Sequence, residues 1–428
     1  MMKYVLTLAL FSASLSIYAQ HGLEKDIAAV ESKVIEWRRD IHEHPELSNR
    51  EFKTAEKIAE HLKSLGIEVQ TGVAHTGVVG LLKGKKPGKV VALRADIDAL
   101  PVTERNDLPF KSNVTSEYLG QEVGVMHACG HDTHIAILMG VAEVLAKNTD
   151  KIRGTVKFIF QPAEEGAPPG EEGGAELMVK EGVLDNPKVD AIYGLHIGSY
   201  LPVGQIAYKP GGALAAAQRF VVTIKGKQTH GSAPWGGIDP IYVASKIVDG
   251  YQSIISRELE LTKEAAVITV GKISGGVRNN IIPESAELIG TIRTLDYDMQ
   301  KQVNDRMKEM AADIAKAYRA EATVEIAKGV PITYNDVDLT EKSLPSLQQV
   351  AGAENVHLIK AITGAEDFSF YQEKIPGFFF ILGGKDPKSG PDEYFPHHTP
   401  DFKIDDSGLL LGVKAMTEIA LDYLDRSK

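Results

Sequence analysis

The sequence predicts an α/β fold that carries a smaller inserted α+β unit. Between residues 23 and 195, and again after Gly329, apolar strands alternate with helical segments, which is typical of a sheet with helices packed against it. Between residues 214 and 325 the order changes to strand, helix, strand, strand, helix, strand, the order of a ferredoxin-like unit. A chain of 428 residues has room for more than one domain.

The first part of the chain alternates between the two kinds of element. Helices are predicted over residues 23–43, 51–65, 133–147 and 174–181, and strands over residues 78–82, 90–93, 156–160 and 191–195. The first helix ends at His44, because the residue before Pro45 disfavours helical backbone. Gly66 is predicted to be the C-cap of the second helix, and Asp132 the N-cap of the third.

The inserted unit and the last part of the chain follow. Strands are predicted over residues 219–225, 266–272, 286–294 and 323–327, with helices over residues 239–257 and 297–320. The α/β pattern then resumes with helices over residues 339–351 and 407–424 and a strand over residues 378–382. This gives a domain in two pieces, residues 21–213 and 326–428, with an inserted domain at residues 214–325.

The first 20 residues read as a signal peptide. Lys3 supplies a positive charge, residues 4–17 are apolar or small, and the stretch ends at Tyr18-Ala19-Gln20 before polarity rises at His21. The apolar run is short for a membrane span, although an uncleaved anchor or a buried helix is the alternative. We therefore expect a protein exported to the periplasm or secreted, with no membrane contact after cleavage.

Composition excludes two classes of partner. With 43% apolar and 25% charged residues, the chain is of ordinary globular composition. Its net charge is −11, its pI is about 5.7, and the basic residues form no run or stripe. Nucleic acid and anionic membranes are therefore not expected as partners, because both need a basic surface. A small molecule is the expected ligand.

Polar side chains follow three of the predicted strands where each strand ends. The strand at residues 90–93 runs into Asp96, the strand at residues 156–160 runs into Glu164 and Glu165, and the strand at residues 191–195 runs into His196. The carboxyl ends of the strands form the ligand crevice in open α/β sheets. These side chains are therefore expected to meet in one crevice.

The densest group of such residues is the segment Met126 to His134. Cys129 is the only cysteine in the sequence, so it has no partner for an internal disulfide. It is a buried apolar residue, a reactive thiol or a metal ligand. A thiolate with the imidazole of His131, two positions along, suits zinc, and also nickel, cobalt or manganese. The alternative is that Cys129 is a buried thiol beside an unrelated histidine.

Taken singly, the other candidate site residues carry a weaker signal. Adjacent carboxylates are usually solvated, but Glu164 and Glu165 could divide labour, with one binding metal and the other accepting a proton. His196, and one or both of His397 and His398, could complete the site. More commonly such histidines are structural.

The inserted unit contributes three further candidates. From chemistry alone each is more often structural than functional. His230 and Asn280 could donate hydrogen bonds to an oxyanion. Arg293 could hold a carboxylate through two hydrogen bonds.

These motifs together resemble one known family. The sequence is similar to the metal-dependent amidohydrolases grouped with aminoacylase, carboxypeptidase G, hippurate hydrolase and the indole-acetyl-amino-acid hydrolases, and most of all to the last two. The matching segments cover most of the chain after residue 20: residues 38–48, 94–101, 126–134, 161–166, 194–196, 290–293, 364–368 and 398–400.

The resemblance implies a fold and a set of roles. It implies a zinc-peptidase-like mixed-sheet catalytic domain and a ferredoxin-like lid through which two copies form a homodimer. Two divalent ions (Zn, Mn, Co or Ni) would be bound, with Cys129 bridging them. The remaining implied ligands are His131, Glu165, His196 and His398, the last chosen over His397 because it directly precedes Thr399-Pro400.

The resemblance also implies which residues act on the substrate. Glu164 would be the general base and then the general acid, and Asp96 and Asp132 would orient ligands from outside. His230 and Asn280 would reach the site as the lid closes, with the partner subunit as one source of them. Arg293 would bind the substrate carboxylate.

The implied function is hydrolysis of the amide bond of N-acyl amino acids, giving a carboxylic acid and a free amino acid. One alternative is a dipeptidase or carboxypeptidase, which shares every motif. A second is a catalytically silent metal- or ligand-binding protein, against which the presence of Glu164 argues. A third is a thiol enzyme that uses Cys129 as nucleophile, which would be indifferent to chelators.

Overall fold

The fold is built from eighteen strands and ten helices in the part of the chain that the computed structural model describes, residues 21–390 and 393–426. The strands are β1 (Glu68–Val73), β2 (Gly77–Lys83), β3 (Lys86–Asp96), β4 (Thr115–Tyr118), β5 (Gln121–Gly124), β6 (Arg153–Gln161), β7 (Ala191–Pro202), β8 (Ile206–Tyr208), β9 (Gly211–Leu214), β10 (Ala216–Lys225), β11 (Thr229–His230), β12 (Ala266–Gly275), β13 (Ile281–Ile282), β14 (Ser285–Thr294), β15 (Glu321–Ile326), β16 (Thr333–Asn335), β17 (Val356–Leu358) and β18 (Gly377–Lys385). The helices are α1 (Glu24–Ala28), α2 (Glu31–Glu43), α3 (Phe52–Ser64), α4 (His131–Lys147), α5 (Gly174–Lys180), α6 (Pro240–Ser253), α7 (Tyr297–Ala317), α8 (Val337–Ala351), α9 (Ser369–Gln372) and α10 (Leu409–Asp425).

The largest sheet is mixed and has eight strands in the order β1-β2-β6-β3-β7-β18-β8-β17. Its centre is parallel, since β3 pairs in parallel with β6 and β7, and β7 pairs in parallel with β18. One edge is antiparallel, where β1 pairs with β2 and β2 with β6. The predicted mixed-sheet α/β fold is therefore confirmed.

Both faces of this sheet are buried. Alternate residues of a strand point to opposite faces, so Leu93 and Phe158 enter the larger core, to which α2, α4 and α10 contribute. Ala92 and Ile159 enter a smaller core on the other face, to which α5 and α9 contribute. This burial on both faces explains why the strands read as nearly continuous apolar runs in the sequence.

A second, four-stranded sheet lies in the inserted segment. Its strands are antiparallel in the order β12-β14-β10-β15. Helices α6 and α7 contact each other and this sheet around a core of its own, which includes Phe220, Ile247 and Met307. The strand order is that of a ferredoxin-like unit. Its roles as lid and dimerisation domain, and the boundaries at residues 214 and 325, stay predictions.

Several local predictions differ from the structure. The predicted helix at residues 23–43 is divided into α1 and α2, but Ile27, Val30 and Val34 are buried on both sides of the break, so the apolar spacing continues through it. Strand β1 and the β4–β5 hairpin were not predicted, because most of their residues are exposed and lack an apolar alternation. The N-cap of α4 is Gly130, not Asp132, which lies inside the first turn.

The export prediction falls on residues 1–20, which lie outside the described residues, and it stays a prediction. In residues 21–390 and 393–426, no helix combines the length and apolarity that crossing a membrane requires.

Candidate metal centre

A cleft of about 530 Å³ lies between the carboxyl ends of the central strands and the inserted unit. Cys129, Glu164 and His196 line it from the large sheet, and Ala217 and Arg293 line it from β10 and β14 of the inserted unit. The crevice predicted from three strand ends is therefore present.

The backbone before α4 brings Cys129 into this cleft. Gly130 has a φ of 95°, a conformation that side chains rarely adopt, and a Cβ there would lie 2.4 Å from Ile197 Cγ2. This turn leaves Cys129 buried, with its Sγ atom 3.3 Å from His196 Nε2 and 3.3 Å from His398 Nε2. The thiol therefore lies between two imidazoles whose residues are about 200 positions apart in the chain.

His131 has one ring nitrogen bound and one available. Its Nδ1 lies 2.9 Å from the carbonyl oxygen of Asp98 and 3.1 Å from the Asp98 carboxylate, so Nδ1 carries the proton. Its Nε2 is buried without a hydrogen-bond partner, and a Glu165 oxygen lies 3.9 Å away. A buried acceptor with no donor is what an absent cation would leave behind.

His196 and His398 also direct Nε2 to the cluster. The Nδ1 of His196 donates to the carbonyl oxygen of Ile197 at 2.8 Å, which leaves its Nε2 as an acceptor facing Cys129. The Nε2 of His398 lies 3.0 Å from Glu165 Oε1.

His397 also approaches the cluster, since it, Cys129 and His196 form a group whose ligand atoms lie within 4.8 Å of one another. Both of its ring nitrogens have backbone partners, however: Nδ1 lies 3.1 Å from the carbonyl oxygen of Cys129, and Nε2 accepts a hydrogen bond from the Ser199 amide. The geometry favours His398 as the ligand.

The donor set fits two cations. Cys129, His131 and Glu165 form a second group whose ligand atoms lie within 4.8 Å of one another. The Sγ atom of Cys129 also lies 3.3 Å from both His196 Nε2 and His398 Nε2. One thiol therefore adjoins all the other candidate ligands, which is the arrangement that a thiolate shared by two ions needs. Thiolate, imidazole and carboxylate donors suit zinc and related divalent ions.

The electrostatics of the cluster are dominated by carboxylates. Burial, Glu165 and Glu164 raise the pKa of the Cys129 thiol well above its usual value. Burial, followed by Glu366 and Glu165, raises the pKa of Glu164. Although burial opposes it, the charge of Asp96 and the hydrogen bond to Asp98 raise the pKa of His131 to about 10. Neighbouring carboxylates contribute to each of these three pKa shifts, and a bound cation would offset their negative charge.

Arg94 neutralises a second set of acids beneath the cleft. Its guanidinium lies 2.6 Å from Asp96 and 2.9 Å from both Glu366 and Asp367. The backbone amide of Asp367 reaches a Glu164 oxygen at 3.5 Å. Arg94 therefore explains why Glu366 and Asp367, which also line the cleft, gather beside Glu164.

Asp96 lies beside the candidate ligands and contacts His134, a residue that we did not single out; its role in orienting ligands stays a prediction. It accepts a hydrogen bond of 2.5 Å from His134 Nδ1, and His134 Nε2 accepts from the amide of Ile197. Both nitrogens of His134 are thus in use, and this histidine is not available as a ligand.

Asp132 does not contact any predicted ligand. Its carboxylate lies 2.8 Å from Arg38 Nε and 2.8 Å from His42 Nδ1, both on α2. The reason is helical geometry: adjacent positions on α4 point in different directions, so His131 faces the cleft while Asp132 faces α2. These contacts join α4 to α2, and the role of Asp132 in orienting ligands stays a prediction.

Asp98, which was not among the predicted site residues, contacts two of the candidate ligands. Besides His131, its carboxylate accepts hydrogen bonds from the Ser48 hydroxyl at 2.7 Å and from the Glu165 amide at 3.1 Å. One side chain therefore holds two of the candidate ligands. The signal was present in the sequence, because Asp98 follows the same strand end as Asp96.

The candidates of the inserted unit divide into two groups. Arg293 lines the cleft from β14. Among the described residues that line the cleft, His230 and Asn280 are not found. They neighbour each other instead, since the Gly231 amide donates to the Asn280 carbonyl oxygen at 2.8 Å. Their roles in catalysis stay predictions.

Comparison with known sequences gives a family and named relatives. A family model described as Peptidase family M20/M25/M40 matches residues 92–422. Thermostable carboxypeptidase 2 of Saccharolobus solfataricus is 41% identical over 406 residues, which cover 94% of this chain and 98% of that protein. N-acetylcysteine deacetylase of Bacillus subtilis is 38% identical over 401 residues, which cover 94% of this chain and 99% of that protein.

Comparison with solved structures agrees. The YXEP protein of Bacillus subtilis, described as a dinuclear metal-binding peptidase from the M20 family, superposes with a TM-score of 0.77. It is 36% identical, and the match covers 93% of this chain and 99% of that one.

Proposed function

This chain belongs to peptidase family M20/M25/M40, and we propose that it uses two divalent metal ions to hydrolyse the amide bond of N-acyl amino acids. Its family and its named relatives indicate a metal-dependent hydrolase of amide or peptide bonds. One observation carries the finer proposal: Glu164 and the ligand cluster share a cleft with Arg293. A base, a metal centre and a carboxylate receptor are the parts that this reaction needs.

The metal ions would be held by five side chains, with Cys129 shared between the two: Cys129, His131, Glu165, His196 and His398. Bound there, two divalent ions would polarise the amide carbonyl and lower the pKa of the attacking water. Zinc, manganese, cobalt and nickel all suit this donor set.

Glu164 would move the proton. It lines the cleft, next to Glu165 in the chain, while remaining outside the ligand set that we propose. Its carboxylate would accept a proton from water as the water oxygen bonds to the amide carbon. It would then deliver that proton to the nitrogen as the carbon–nitrogen bond breaks, so a carboxylic acid and a free amine are the products.

Arg293 would orient the substrate. Its guanidinium lines the cleft among the apolar side chains of Leu214, Val330 and Ile362. A guanidinium can bind the carboxylate of the amino-acid half through two hydrogen bonds. The apolar walls would then contact the amino-acid side chain.

The surroundings of Cys129 disfavour the thiol-enzyme alternative. Reactive cysteines lie in electropositive surroundings that lower the thiol pKa, whereas burial and two carboxylates raise the pKa of Cys129. Cys129 is better suited to bind metal than to attack an amide.

A carboxypeptidase is the second candidate, because the relative from Saccharolobus solfataricus bears that name. A carboxypeptidase and an acyl-amino-acid hydrolase release the same kind of product, an amino acid with a free carboxylate. Arg293 would serve both activities, so only substrates can separate them.

A substrate panel tests the proposal. Benzoylglycine, acetylated amino acids and dipeptides are incubated with the protein loaded with zinc or manganese, and again after chelation. We expect amino acid release from the acyl amino acids that is lost with chelator and restored by metal. Cleavage of dipeptides alone would establish the peptidase instead, and activity that survives proven metal removal would refute the metal mechanism.

Replacement of the base is the second test. Glu164→Gln should retain both metal ions and lose at least about 10²-fold in turnover, because it keeps the shape of the side chain and removes the proton acceptor. Metal content by elemental analysis controls for loss of the site. Turnover near the wild-type value would show that another group is the base.

A further inference from the structure

We propose that the acyl group of the substrate occupies a separate apolar pocket beside Glu165, and that the enzyme therefore prefers bulky apolar acyl groups. The pocket, here called the hairpin pocket, has a volume of about 290 Å³. It lies between the β4–β5 hairpin, the segment that follows β3 and the loop that follows β6. This inference rests on the proposed function, since it divides an amide substrate between two sites.

The hairpin pocket and the cleft meet at one residue, Glu165, which lines both. Arg293 lines the cleft and does not line the hairpin pocket. If Arg293 binds the carboxylate, the amino-acid half fills the cleft. Because the two halves of a trans amide extend in opposite directions from the carbon–nitrogen bond, the acyl half must leave the centre on another side. The hairpin pocket begins at that centre.

The lining of the hairpin pocket is suited to an uncharged group. Its apolar members are Leu47, Leu100, Pro101, Tyr118, Leu119 and Pro168. Its charged members are Arg50, whose guanidinium is bound to Glu171 at 2.6 Å, and the carboxylates Glu117 and Glu165. Two carboxylates in the lining disfavour a negatively charged acyl group. An acidic acyl group in this pocket would find the Arg50 guanidinium already paired with Glu171.

The tip of the hairpin supports a ligand at this place. Leu119 and Gly120 form a two-residue turn with φ angles of 53° and 76°. Turns of this kind favour asparagine or aspartate followed by glycine, and a branched side chain rarely adopts such a φ. The first turn residue is nevertheless a leucine, Leu119, and it is 67% exposed to solvent. An apolar ligand beneath it would bury this side chain and offset both penalties.

The volume favours an acyl group larger than acetyl. At about 290 Å³ the pocket is close to the lower end of the range of roughly 300–1,000 Å³ for small-molecule sites. That volume suits one half of a substrate, such as a benzoyl or hexanoyl group. An acetyl group would leave most of the apolar wall in contact with water.

Filling the hairpin pocket tests the proposal. Ser116 lines the pocket and is exposed on β4, so Ser116→Trp places an indole in the pocket without disturbing a core. Thr115→Trp is the matched control, because Thr115 is also exposed on β4 but does not line the pocket. The values of kcat/KM for benzoylglycine, hexanoylglycine and acetylglycine are compared among the wild type and these variants.

The expected result is selective. Wild-type protein should prefer benzoylglycine and hexanoylglycine to acetylglycine by at least about tenfold, from the apolar area buried. Ser116→Trp should remove most of that preference and leave acetylglycine within about twofold, while Thr115→Trp changes neither. Leu119→Asn, which suits the turn, should weaken the two large substrates in the same way without loss of thermal stability.

Two outcomes would overturn the inference: equal losses for large and small acyl groups in Ser116→Trp, or no change for either. Failure of the proposed function is seen separately, as a wild type that releases nothing from any acyl amino acid. In that case calorimetric binding of benzoylglycine to Glu164→Gln protein, with and without Ser116→Trp, decides the question. Binding that weakens about tenfold would support the pocket, and unchanged binding or none would refute it.

Discussion

Asp98→Asn should weaken metal binding although Asp98 is not in the proposed ligand set. The Asp98 carboxylate accepts from three donors: His131 Nδ1 at 3.1 Å, the Ser48 hydroxyl at 2.7 Å and the Glu165 amide at 3.1 Å. Asparagine has nearly the same shape, but one of its two terminal atoms is an NH₂ group. Whichever way the amide is rotated, its NH₂ group faces another hydrogen-bond donor, either His131 Nδ1 or the Glu165 backbone amide.

The magnitude follows from these contacts. If the NH₂ group faces His131, the ring loses the charged one of its two acceptors and keeps the Asp98 carbonyl oxygen. If the NH₂ group faces the other two donors, the Glu165 backbone is displaced. A hydrogen bond to a charged group contributes about 1.5–3 kcal/mol. Outer partners of metal ligands typically contribute 10–100-fold in metal affinity, equivalent to about 1.4–2.8 kcal/mol. We therefore expect zinc affinity to fall by a factor of about 10–100.

The assay is calorimetric titration of zinc or manganese into metal-free protein, with competition by a chelator if binding is too tight. Ser48→Ala is the matched control, because it removes one donor and leaves the carboxylate, so its affinity should stay within about threefold of the wild type. Circular dichroism confirms that both variants fold. Asp98→Asn protein that binds both ions as tightly as the wild type would refute the argument.

Two further predictions concern the thiol and a buried acid. Cys129→Ala should retain at most one ion per chain after dialysis, measured by elemental analysis, and two retained ions would remove Cys129 as a shared ligand. Burial and the charge of Asp98 raise the pKa of Glu51 from 4.5 to about 8. In the folded state Glu51 therefore keeps a proton that the unfolded chain releases, and the free energy of unfolding falls as pH rises from about 4.5 to about 8. Glu51→Gln, which does not titrate, should gain up to a few kcal/mol on the wild type between pH 5 and pH 8 in guanidinium denaturation; a constant difference would contradict this.

The elements that the sequence predicted are those whose signal is local. The central strands are buried on both faces, so residues such as Leu93 and Phe158 appear in continuous apolar runs. Strand β1 lies at the edge of the sheet and is mostly exposed, and it carries no such pattern. Apolar periodicity reports burial, and it therefore misses elements that are held mainly by backbone hydrogen bonds.

The candidate site divides in the same way. Cys129 and Glu164 could be predicted because each is a residue type that binds metal or transfers protons. Glu164 follows the end of a predicted strand, and Cys129 lies just before a predicted helix. The partners of Arg94 could not be predicted, because Glu366 and Asp367 lie more than 270 residues away along the chain and meet it only through the order of the sheet. Asp98, which contacts His131 and the Glu165 amide, was not predicted, since spacing along the sequence does not show which way a side chain points.

Charge balance joins the metal centre to the stability of the fold. Asp96, Asp98 and Glu366 are buried around the cluster, and Glu164 and Glu165 lie at its edge. Arg94 is the guanidinium among them, and its hydrogen bonds go to the acids beneath the cleft. Buried carboxylates need nearby positive charge, because their desolvation is otherwise unfavourable by several kcal/mol. The cationic side chains that contact Cys129 among the described residues are imidazoles, so bound divalent ions would supply the remaining positive charge. Metal binding and the final packing of the segment from Met126 to His134 should therefore be coupled, because ions that bind only the folded chain stabilise it.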